Sequence, residues 1–183
     1  AFTGLSLAIF LLFHLFNNLV LFTGAENFNK MVQFLKSIHL FVRILEAGLV
    51  LIVLLHVINA IATTIKNKRA NNGKYAIEPD TAPKSSKTMI WSGMVILFFF
   101  IIHLRYYWYT FQAMTKDADF FAVMLKNEFG FLGHTPTAAF YIIAILLIAS
   151  HLKHGFVSVF KTIGMPFKYR DQIIKYLAFV FWA

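Results

Sequence analysis

Seven histidines and no cysteine stand in this chain of 183 residues, so imidazole is its only abundant soft ligand. Disulfides, zinc–thiolate sites and iron–sulfur clusters held by the chain itself are excluded. Four of the histidines, His14, His56, His103 and His151, sit inside long apolar stretches, one in each. Their surroundings come in two kinds. Thr3-Gly4 lies ten residues before His14, and Ser92-Gly93 ten residues before His103. Lys66 follows His56 by ten residues, as Lys161 follows His151. The first two apolar stretches therefore resemble the second two, as a repeated helical hairpin.

On a helix rising 1.5 Å per residue, His56 and His151 each lie about 15 Å along the axis from a lysine. His103 lies sixteen residues beyond Lys87, roughly 24 Å along its helix and so toward the opposite end. By the repeat, His14 shares that depth. Two layers result, His56 with His151 and His14 with His103. An ionisable group in hydrocarbon is costly, and it usually faces the bundle interior as part of a functional site. Two imidazoles on different helices at one depth suit the two axial positions of a six-coordinate haem iron. Such an iron has no position left for oxygen and is fitted for electron transfer. The competing use is hydrogen bonding between helices or a proton path, as in a histidine-relay transporter. Four histidines, one per helix and paired by depth, favour cofactor binding.

Composition says what must position them. Of the residues 59% are hydrophobic, 17% aromatic and only 14% charged, with a mean hydropathy of +0.68. Soluble domains carry about 25% charged residues, so this is an integral membrane protein, all-α, built as a transmembrane helical bundle. A span needs about 20 apolar residues. Residues 2–23, 44–65, 89–111 and 137–160 satisfy this, and residues 173–183 begin a fifth that stops short. The expectation is a single membrane domain of five spans, the first four holding two haems, with both ends continuing beyond the chain. The first stretch is expected to be a span and not a signal peptide, because it has no basic start.

The connections alternate in charge. Residues 66–87 hold Lys66, Lys68, Arg69, Lys74, Lys84 and Lys87 against Glu78 and Asp80; residues 161–175 hold Lys161, Lys168, Arg170 and Lys175 against Asp171. The other two connections carry only Lys30, Lys36 and Arg43, and Lys116 and Lys126. The positive-inside rule then places the second and fourth connections, and the amino terminus, in the cytoplasm. This asymmetry accounts for much of the net charge of +9, so nucleic acid is not an expected partner. Residues 67–86 read as a polar loop with no phosphate loop, nucleophile elbow or paired carboxylates. Both outer connections look partly helical, lying at the surface: Phe28, Met31, Val32 and Leu35 share one face, as do Phe120, Phe121, Met124 and Leu125 after Asp119 as N-cap.

His154 follows His151 by three residues on nearly the same face and competes with it as a ligand. The ten-residue spacing to lysine favours His151; His154 then meets a haem propionate or is a polar residue at the interface. His39 and His134 fall in connections and are expected to be solvated. Lys153 snorkels or meets a propionate. Arg105, beside Tyr106, Tyr107, Trp108 and Tyr109, reads first as an anchor in an aromatic belt and second as a propionate partner. Arg43 and Glu46 read as a surface pair. Ala60 and Gly155, one turn past His56 and His151, leave room for a porphyrin or for close helix packing. Glu26, His39 and Arg43 are candidates for a quinone pocket, each with an equally good surface role.

Thr3-Gly4-Leu5 leading to Phe13-His14, Arg43-Ile44-Leu45-Glu46 running to His56, Ser92-Gly93 running to His103, and His151-Leu152-Lys153-His154-Gly155 resemble one family. It is the cytochrome b membrane-anchor subunit of succinate:quinone oxidoreductases (succinate dehydrogenase and fumarate reductase), of the single-subunit, five-helix, diheme type. The resemblance implies two haem b groups. His56 and His151 hold the one nearer the soluble subunits and His14 and His103 the distant one. The residue four before the glycine of the fourth helix is the ligand, which selects His151 over His154. It further implies a flavoprotein subunit and an iron–sulfur subunit on the cytoplasmic side, quinone (usually menaquinone) as electron partner, and a bacterial cytoplasmic membrane as location. Complexes pairing as dimers are compatible with it. Dicarboxylate chemistry would belong to the partner subunits, with this chain as the quinone-reacting one. A hydrogenase or formate dehydrogenase cytochrome b is the alternative within electron transfer.

Overall fold

The computed structural model describes residues 2–70 and 84–162, with positions 164, 169, 172, 173 and 176. Its described elements are helical. Helix α1 is Phe2–Leu19, tightened into a 3-10 turn over Val20–Thr23; α2 is Ala25–Ser37 and α3 is His39–Ala70. Helix α4 is Lys84–His103, followed by a π-helical turn over Leu104–Trp108; α5 is Tyr109–Ala113, α6 Phe120–Met124 and α7 Thr135–Thr162. In lipid every backbone polar group must be bonded within the protein, which is why apolar stretches of this length adopt helix.

Four helices are long and apolar enough to cross a membrane: Phe2–Thr23, His39–Asn67, Met89–Ala113 and Thr135–Phe160. The second begins five residues before the expected Ile44. Leu40, Phe41 and Val42 extend its apolar run, and Arg43 and Glu46 neutralise each other one turn apart, Nη1 to Oε2 2.9 Å. Helix also replaces the ends of the expected loop 67–86, since α3 runs to Ala70 and α4 begins at Lys84. Residues 71–83, and the fifth span expected over 173–183 apart from positions 173 and 176, lie outside the described residues.

Among the spans, α1 packs along α3, α4 along α7, and α1 against α7. Ala8 on α1 and Ala144 and Ala149 on α7 are buried, the small residues that let membrane helices approach closely. Elsewhere the spans present Phe, Leu and Ile outward, as lipid requires.

The dense packing is at one end. There α2 and α6, from the first and third connections, pack together over a cluster of Phe28, Val32, Tyr107, Phe120, Val123, Met124, Phe131 and Tyr141. The two connections expected to lie at the surface thus cap the bundle. Leu125, expected on the apolar face of α6, is exposed because the helix ends at Met124. Gly24 (φ 100°) makes the break into α2, a conformation that other residues adopt at a cost. Gly130 (φ 99°) lies against Tyr106, whose ring any added Cβ would overlap.

Asp119 joins the two cap helices. Its Oδ1 accepts from the Ala122 backbone N–H at 3.0 Å, as an N-cap should, and from Asn29 Nδ2 at 2.9 Å. Asn29 Oδ1 in turn accepts from the Phe121 N–H at 3.0 Å. The Asn29 amide and the Ala122 N–H hold the Asp119 carboxyl below its ordinary 3.8. A depressed carboxylate contributes stability that is complete above its unfolded value and lost as pH falls through its folded one. The protection of α6 amides relative to their intrinsic exchange rates is therefore expected to fall below about pH 4. Asp119→Ala should exchange faster at neutral pH and lose that acid dependence. Unchanged exchange in the variant would exclude the N-cap role.

Candidate metal centre

The four span histidines meet as two pairs. His56 on α3 faces His151 on α7, with ring centroids 6.4 Å apart and planes at 71°. His14 on α1 faces His103 on α4, with centroids 5.7 Å apart and planes at 90°. These pairs join α3 to α7 and α1 to α4, whereas the long packing contacts run between α1 and α3, α4 and α7, and α1 and α7. Each pair therefore reaches across the bundle and takes one ring from each hairpin.

Each ring is held by its neighbours. Ser92 Oγ lies 3.1 Å from His151 Nδ1, and Thr3 Oγ1 lies 3.4 Å from His56 Nδ1. Gly93 and Gly4 sit beside the same two rings; an added Cβ at either would lie 3.6 Å from the ring's Cε1. The repeated Thr/Ser-Gly pair thus touches the histidine of the other layer, not the one ten residues along its own helix. In the second pair, Phe10 stacks on His14 at 5.5 Å and Phe99 on His103 at 5.8 Å. Tyr141 OH lies 3.4 Å from His103 Nδ1, and Asn18 Nδ2 donates to the His14 carbonyl at 2.7 Å.

The helices also set the distance between layers. Thr3 and Ser92 mark the first layer on α1 and α4, and His14 and His103, each eleven residues later, mark the second. At 1.5 Å per residue both helices separate the layers by about 16 Å. Tyr141 and His151 give about 15 Å along α7.

The residues fit a haem. A metal–imidazole bond is about 2 Å, and a ring centroid lies about 1.2 Å behind its nitrogen, so two axial imidazoles place their centroids roughly 6.3 Å apart. The His56–His151 pair matches this, and the His14–His103 pair is about half an ångström closer. Three of the four rings have Nδ1 beside a hydroxyl, which leaves Nε2 to ligate. No group of three or more His, Asp or Glu able to hold a bare ion occurs among the described residues. A two-imidazole site would hold a metal only with further donors supplied by a bound group such as a porphyrin. One turn past His151, a side chain at Gly155 would meet nothing within 4 Å.

The other sequence candidates are placed as follows. His154 is half-buried on α7, one turn from His151, but the ring that meets His56 is that of His151. His39 is exposed, as expected. His134 is not simply solvated: it is half-buried in the cap, with Nδ1 2.9 Å from Thr137 Oγ1. Lys153 is exposed. Arg105 is exposed and stacks over Tyr109 at 5.0 Å and Tyr106 at 5.8 Å. Glu26 is paired with Lys30 at 2.6 Å, and that ammonium depresses its carboxyl.

Sequence reasoning found the Arg43–Glu46 pair but missed its extension. Arg43 Nη2 donates to Gln112 Oε1 at 2.6 Å, and Trp108 Nε1 donates to Glu46 Oε1 at 3.0 Å, tying α3 to the α4–α5 segment. It also missed Tyr141, a single tyrosine in an apolar helix with no periodic signal. No protein-family model, curated protein or solved structure matches the chain.

Proposed function

We propose that the chain is a diheme cytochrome b, the membrane anchor and electron-transfer subunit of a complex of the succinate dehydrogenase/fumarate reductase type. The observation that carries this reading is the pair of imidazole couples crossing the bundle about 16 Å apart. His56 and His151 would hold one b haem and His14 and His103 the other. Bound there, each haem would supply a one-electron carrier. The rings would fix the two carriers at separate depths, with Phe10 and Phe99 stacked on the His14 and His103 rings. Lys66 and Arg69 fall in the last turns of α3, at the end opposite the cap, which the positive-inside rule assigns to the cytoplasm. A flavoprotein and an iron–sulfur subunit would dock there. The chain has no cysteine for a cluster of its own, and quinone, menaquinone in the resembling type, would exchange electrons with it. The membrane would be the bacterial cytoplasmic one.

The test is haem stoichiometry in the purified complex. The pyridine haemochrome should give two b haems per chain, and low-temperature EPR should show low-spin bis-histidine iron. A complex without them would exclude electron transfer by this chain and leave a histidine relay. The co-purifying subunits then separate the two redox readings. A covalent flavin subunit supports the succinate/fumarate type; a nickel–iron or molybdenum subunit supports a hydrogenase or formate dehydrogenase cytochrome.

A further inference from the structure

Ser92 does more than touch His151. Its Oγ lies 3.0 Å from the Met89 carbonyl oxygen, to which it donates. The single hydroxyl hydrogen is thereby committed to the backbone, and the oxygen turned to His151 Nδ1, 3.1 Å away, acts as an acceptor. His151 must then carry its proton on Nδ1, which leaves the Nε2 lone pair free. Thr3 occupies the equivalent place against His56 at 3.4 Å, from the equivalent point of the sequence repeat. The His14–His103 pair is built differently, with a phenol at His103 and a phenyl stack at His14.

We infer that Ser92 and Thr3 are positioning residues that fix the ligating tautomer of His151 and His56 and set the reduction potential of the haem between them. The inference rests on the haem reading above. An imidazole that donates its second N–H to an oxygen acceptor is a more basic ligand. A more basic ligand stabilises ferric over ferrous iron, so the two hydroxyls hold this haem's potential down. The other layer lacks an aliphatic hydroxyl on either ring and is untouched by these residues.

The experiment is a redox titration of the purified complex, followed by optical and EPR spectra, in Ser92→Ala, Thr3→Val and Ser92→Thr. In Ser92→Ala, haem content stays at the wild-type value. One haem shifts upward by about tenfold in its reduction equilibrium, which is 59 mV for one electron. The haem that moves is the one lost in His151→Ala. Thr3→Val moves the same haem in the same direction by less, since its contact is longer. Ser92→Thr, which keeps the hydroxyl, restores the wild-type potential. If Ser92→Ala fails to assemble, Thr3→Val carries the measurement on the opposite ligand. Unchanged potentials in a complex with both haems would overturn the inference while leaving the haem reading intact. So would equal shifts in Ser92→Ala and Ser92→Thr. A wild-type complex without haem would instead overturn the reading itself.

Discussion

If the chain holds two haems as proposed, replacing His151 by alanine is expected to remove one of them and to leave the other with its spectrum unchanged. The reason is geometric. His151 is the ring that faces His56 across the bundle, and alanine offers the iron no second axial ligand. Loss of a partner that merely orients a ligand costs about 10–100-fold in affinity, and loss of the ligand itself costs more. The second layer is about 16 Å away on the same helices and takes neither ring from this pair. His154→Ala is the control. It sits one turn from His151 on the same helix, so both haems should remain. Haem content by pyridine haemochrome decides between them. A complex that keeps both haems in His151→Ala and loses one in His154→Ala would reverse the ligand assignment.

Phe120→Ala is expected to cost about 3–5 kcal/mol, the range for emptying a fully buried aromatic site. Phe120 is 0% exposed at the centre of the cap, 5.1 Å from the Phe111 ring, with the Lys36 ammonium over its face at 5.4 Å. The cap lies at one end of the spans, beyond their apolar length, so burial there is expected to draw on the hydrophobic effect, which lipid-facing positions do not. Tyr107 and Tyr141 belong to the same cluster and also lie against His103, with ring centroids 5.6 and 6.1 Å away. On the diheme reading, the His14–His103 layer should therefore lose its haem before the other as the variant is warmed in detergent. Leu125→Ala, at an exposed position one residue past α6, should stay within about 0.5 kcal/mol of wild type. Equal melting of the two variants would mean that the cap does not support the bundle.

Much of this architecture was legible because hydropathy and helix rise are one-dimensional. Four spans and the depth of each histidine follow from counting along the chain. The partners of each ring are not one-dimensional. The spacing of Thr3-Gly4 and Ser92-Gly93 from His14 and His103 marked a repeat, but nothing in it said that the hydroxyls turn to His56 and His151. That depends on which helices pack side by side. Nor did sequence show that α2 and α6 close over the bundle end, since Asn29 and Asp119 meet across ninety residues. The start of α3 was placed at Ile44, past Arg43, whereas the helix begins at His39 and holds the Arg43–Glu46 pair within its first turns.

Each layer draws one histidine from the first hairpin and one from the second, and this has a bearing on how the protein is made. A growing chain that has inserted only its first two spans holds His14 and His56 at different depths, with neither one's opposite number yet synthesised. Neither half is a site. On the diheme reading, the His14–His103 site is complete only once the third span is in place and the His56–His151 site only once the fourth is. Capture of both cofactors would therefore double as a report that both hairpins have inserted. Once bound, they would rivet together helices that otherwise share few contacts.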